Sequence, residues 1–88
     1  MATRQEVYAA IDGERAYQDQ LWQRDLGTTD EGVPAFLIYM QKYLDKANDA
    51  FTGIKGDASI PALDMIRKVV ALGVCAMEVN GAPKREGF

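Results

Sequence analysis

The chain contains no histidine and a single cysteine, Cys75, among its 88 residues. Without imidazole it lacks the usual general base, the commonest transition-metal ligand and every Ser-His or Cys-His arrangement. One thiol forms no intrachain disulfide, so nothing argues for an oxidising compartment. No apolar run is long and clean enough to cross a bilayer, and Met1–Glu6 lacks the apolar segment of a secretory signal. Positive charge is also short: ten Lys and Arg stand against thirteen Asp and Glu. Duplex nucleic acid is bound through a basic face that releases counterions, and no such stripe is present. Length allows one domain, with a thin stability margin for a monomer. The composition therefore predicts a single cytoplasmic domain, residues 1–83, with residues 84–88 as a short exposed tail, no membrane contact and no duplex nucleic acid partner.

What is present is helical periodicity. Thr3 and Glu6 have the spacing of a capping box. Val7, Ala10, Ile11, Tyr17 and Leu21 then recur at helical steps with Trp22 near the end, which predicts a first helix over residues 4–25. Leu26–Val33 is loop by composition, and Pro34 suits a first helical turn. Leu37, Met40, Leu44, Ala47 and Phe51 follow at steps of three and four, with Phe36 and Tyr43 widening the stripe, predicting a second amphipathic helix over 34–52 that faces the core through it. A third helix is predicted over 60–80, with Pro61 in its first turn and Gly81 and Pro83 stopping it. Its apolar residues fall on two nearly opposite faces. Leu63, Ile66, Val70, Val74 and Met77 form one; Met65, Val69, Leu72, Ala76 and Val79 form the other. Two other helices cannot easily enclose such a surface. The expected fold is all-α, a three-helix antiparallel bundle that self-associates through its third helix.

Several polar groups compete for a functional role. Asp45 and Asp49 stand four apart on the second helix, yet Lys42 and Lys46 beside them make a solvated mixed-charge face the better reading, and no metal site is expected. Arg15 with Asp19, and Asp64 with Lys68, have the spacing of helix-surface ion pairs. The run Glu14–Trp22 mixes aromatic rings with hydrogen-bonding groups. Tyr17 and Trp22 could stack on a base while Arg15 and Gln18 meet phosphate or ribose; equally, Tyr17, Leu21 and Trp22 could be core. Arg67 and Lys68 interrupt the apolar surface of the third helix, and each needs either an internal carboxylate such as Asp64 or an anionic ligand. Cys75 reads as a small packing residue.

Together the Glu14-Arg15, Gln18-Asp19 and Trp22 helix, the amphipathic second helix and a long third helix ending in a small-and-aliphatic run resemble small phage and bacterial proteins related to MazG-type all-α nucleoside triphosphate pyrophosphohydrolases, and the closing stretch from Ala62-Leu63-Asp64-Met65 to Gly81-Ala82-Pro83 also resembles short proteins encoded by tailed phages. Those enzymes carry Glu-Glu-x-x-Glu on one core helix and Glu-x-x-Asp on the next. Here the corresponding stretches read Tyr39-Met40-Gln41-Lys42-Tyr43-Leu44-Asp45 and Met65-Ile66-Arg67-Lys68, so the acidic metal cage is missing. Mg²⁺-dependent hydrolysis loses its basis. The resemblance implies a non-enzymatic phage accessory protein without cofactor. As an oligomer it would sequester a small anionic nucleotide, such as a host immune signal, with Arg15, Tyr17, Gln18, Trp22, Arg67 and Lys68 as ligand contacts. The alternatives are a protein-binding module that inhibits a host protein and, third, an active pyrophosphohydrolase.

Overall fold

The computed structural model describes residues 1–21, 32–53 and 59–86. They form three helices, α1 (Arg4–Leu21), α2 (Val33–Gly53) and α3 (Ser59–Asn80), with no strand among the described residues. The predicted continuation of the first helix through residues 22–25, and Trp22 with it, lies outside the described residues, as do Gly87 and Phe88 of the tail. None of the helices is long and apolar enough to cross a membrane.

Each helix end that the sequence marks is built as expected. The Thr3 hydroxyl accepts the Glu6 amide at 3.1 Å while the Glu6 carboxylate accepts the Thr3 amide at 3.1 Å. These bonds hold the Glu6 carboxyl below its ordinary range. The amides of Ala35 and Phe36 donate back to the Gly32 carbonyl, which places Pro34 in the first turn, where its missing N–H costs nothing. At the end of α3 the Gly81 amide donates to the Met77 carbonyl at 2.8 Å with φ at 115°, a backbone conformation that favours glycine.

α3 is the central element: α2 packs along it and α1 meets it over a shorter stretch, while α1 and α2 do not approach each other among the described residues. Met40 against Gly73 and Lys68 beside the Tyr43 ring fix α2 antiparallel to α3. The core is small. Ala71, Leu72 and Cys75 are fully buried at the middle of α3, joined by Ile11 from α1 and by Phe36 and Ala47 from α2.

Two packing expectations are corrected. On α2 only part of the stripe turns inward: Phe36 and Ala47 are buried, Met40 and Tyr43 are half-buried, and Leu37, Leu44 and Phe51 are exposed. On α1 the inward row is Ile11, Glu14, Arg15 and Gln18, whereas Val7, Tyr17 and Leu21 face water. The reading of Tyr17 and Leu21 as core is therefore wrong. An apolar stripe needs an apolar partner to bury it, and α1 docks instead through matched charges on α3.

Candidate functional site: two ionic clusters on the central helix

The inward row of α1 meets α3 through two arginines, one from each helix. Arg15 is buried and wholly engaged by its own chain. Its Nε donates to Glu78 Oε1 at 2.8 Å and its Nη2 to Glu78 Oε2 at 3.2 Å, a two-pronged contact across the helices. Nη2 also donates to Asp19 at 2.9 Å, and Nη1 to Gln18 Oε1 at 3.2 Å. Glu78, and after it Asp19, raise the guanidinium pKa further above its ordinary value against the opposing effect of burial. In return Arg15 holds the Glu78 carboxyl below the ordinary carboxylate range.

The second cluster lies toward the other end of α3. Arg67 Nε donates to the buried carboxylate of Glu14 at 2.8 Å, and Nη2 donates to Asp64; Nη1 is in neither bond. Glu14, then Asp64, raise the Arg67 pKa. Lys68 Nζ stands 4.0 Å from Asp64 and 5.9 Å from the centre of the Tyr43 ring, which Lys46 approaches to 5.0 Å. Both lysines are within the range of cation–π attraction. Lys46 and Lys68 thus share the Tyr43 ring while Lys68 and Arg67 share Asp64, in a chain of net charge −3.

Adjacent residues of α1, Glu14 and Arg15, reach opposite ends of the α3 core, so the two bridges straddle Ala71, Leu72 and Cys75. No buried side-chain nitrogen or oxygen lacks a hydrogen-bond partner among the described residues. No group of three or more Cys, Asp or Glu converges as a metal ligand set there either.

The residues singled out in the sequence fare differently. Arg15 and Gln18 are brought together, but inward. Arg67 and Lys68 share Asp64 and remain about a third exposed at 36% and 30% of their side chains. Tyr17 is exposed and belongs to neither cluster by any contact described, and Trp22 lies outside the described residues. The i,i+4 pairs Arg15–Asp19 and Asp64–Lys68 form as their spacing predicts. Asp45 accepts a hydrogen bond from Gln41, one turn back on the same helix surface. Sequence reasoning missed Glu14, Glu78, Tyr43 and Lys46. The signal for the first two was available: Ile11, Glu14, Arg15 and Gln18 form a helical row whose charges complement Arg67 and Glu78.

Comparison with protein-family models, with curated proteins and with solved structures returns no match.

Proposed function

We propose that the chain is a non-catalytic binding protein that holds a small anionic nucleotide, and that Arg67 and Lys68 beside Tyr43 are the centre of its site. The observation that carries this reading is the approach of Lys46 and Lys68 to one aromatic ring, Tyr43, with Arg67 joined to Lys68 through Asp64, in a chain that is acidic overall. Partly exposed cations next to a ring suit a ligand that combines phosphate with a flat base. Arg15 is reassigned by the same geometry. With four hydrogen bonds to Glu78, Asp19 and Gln18, it serves as the fastening of α1 rather than as a phosphate contact. Capture without turnover, as a phage protein sequestering a host signal would require, rests on the sequence resemblance and on the missing acidic cage.

A thermal-shift screen against mononucleotides, cyclic oligonucleotides and ADP-ribose derivatives, with mass spectrometry on each mixture, tests the proposal. A ligand at 100 times its Kd adds about 2.7 kcal/mol, a large shift for a domain this small. The expected result is a shift with the ligand recovered intact and abolished by Arg67→Glu or Lys68→Glu. A shift with a cleaved ligand identifies an enzyme. No shift across the panel overturns the nucleotide reading in favour of a protein partner, for which the exposed apolar residues of α2 and α3 provide a surface.

A further inference from the structure

The apolar residues of α3 fall on three sides, and the structure covers two of them. At about 100° per residue, Arg67, Ala71 and Glu78 form the row that α1 covers. Lys68 and Gly73 turn toward α2. Leu63, Ile66, Val70 and Met77 form a third row, about 90° around from the α1 side, and all four are exposed. On α2, Val33, Leu37, Leu44 and Phe51 form a matching exposed row. The two rows adjoin where the Met40 methyl packs against Gly73, because Met40 lies between Leu37 and Leu44 and Gly73 lies between Val70 and Met77. The α2–α3 hairpin therefore carries α1 on one face and a continuous apolar surface on the other.

We infer that this surface is covered by a second copy of the chain, packed α3 against α3 about a two-fold axis. Three observations select that occupant. The first is area. Eight large apolar side chains, Leu63, Ile66, Val70 and Met77 of α3 with Val33, Leu37, Leu44 and Phe51 of α2, are each at least 42% exposed, a patch on the scale of the about 800 Å² that a stable dimer needs from each partner. The second is charge. A two-fold contact sets one patch against the same patch of the partner, so a seam of one charge sign would repel itself; Leu63, Ile66, Val70 and Met77 carry no charge. The third is spacing. Leu63, Ile66, Val70 and Met77 keep the three-and-four register with which helices interlock along a seam.

The inference deepens the proposed function by supplying the assembly, and it fails separately from it. Sedimentation equilibrium over a hundredfold range of protein concentration reads the outcome. The wild-type protein should sediment as a dimer, or a multiple of one, of the 9.7 kDa chain. Val70→Glu and, independently, Leu63→Glu should weaken association at least 100-fold. Both positions see water in the single chain, so circular dichroism should show the helices retained. Tyr8→Glu, exposed on α1, should sediment like wild type. A wild-type monomer throughout the range, or association untouched by both seam variants, overturns the inference. A monomer that still shows a nucleotide-dependent thermal shift would sink the second copy and leave the nucleotide site standing. An assembled protein that answers to no nucleotide would do the reverse.

Discussion

Arg15→Ala isolates the fastening of α1. Four hydrogen bonds leave that guanidinium, but their partners are not equally placed to do without it. The Glu78 and Asp19 side chains are 53% and 55% exposed, so water replaces much of what they lose. Gln18 is 5% exposed and loses the donor to its amide oxygen. An orphaned buried acceptor costs about 1–3 kcal/mol, and truncating the buried stem removes packing as well. The expected loss is about 2 kcal/mol, which is roughly 8–16 °C in Tm for a domain of this size. Urea unfolding followed by circular dichroism, at one fixed protein concentration, measures it. Arg15→Met, which keeps the stem, should cost about half as much, and Glu78→Gln under about 1 kcal/mol because that carboxylate is half solvated. An Arg15→Ala change within about 0.5 kcal/mol of wild type would refute the fastening. Equal losses for Arg15→Ala and Glu78→Gln would move the energy from the buried hub to the exposed bridge.

Three further outcomes follow from the same contacts. Cys75 is buried beneath the α1 crossing and close enough to Arg15 to interact with it electrostatically, so its alkylation rate under native conditions reports release of α1. Arg15→Ala should raise that rate roughly 30-fold, the equivalent of about 2 kcal/mol. Arg15 lowers the Glu78 pKa, so folding favours the ionised carboxylate. That stabilisation is complete above the ordinary carboxylate pKa of about 4.3 and is lost as pH falls through the depressed folded value, so the Glu78→Gln difference should be constant near neutrality and vanish in an acid titration. Gly81→Ala should cost about 1 kcal/mol in urea unfolding through backbone strain alone, since its φ is 115° and a β-carbon there would meet nothing within 4 Å.

Helix number, order and most boundaries were legible because caps and breakers are local. The Thr3–Glu6 box, Pro34, Pro61 and Gly81 act within a few residues of themselves. Which side of α1 and α2 faces inward was legible only in part: Ile11, Phe36 and Ala47 lie on the expected stripes and are buried, and the rest depends on partners distant in sequence. Tyr17 and Leu21 have helical spacing yet face water, since the neighbour of α1 presents Arg67 and Glu78 rather than an apolar groove. Leu37, Leu44 and Phe51 form a clear stripe that the single chain leaves bare. The excess of apolar surface on α3 was visible as two opposed faces, and the structure divides them into one packed on α2 and one largely open. Of the ligand contacts expected from sequence, Arg67 and Lys68 stand together. Tyr43 and Lys46 come from α2, and only the antiparallel α2–α3 pairing brings them to Lys68.

Native mass spectrometry of the purified protein after incubation with a cyclic oligonucleotide panel tests the central claim most directly, because it weighs both the assembly and what it retains. The account predicts a multiple of the 9.7 kDa chain carrying intact nucleotide at a fixed ratio, with the nucleotide lost from Arg67→Glu while the assembly persists. A protein that retains no nucleotide, or an Arg67→Glu variant that retains as much as wild type, would contradict it.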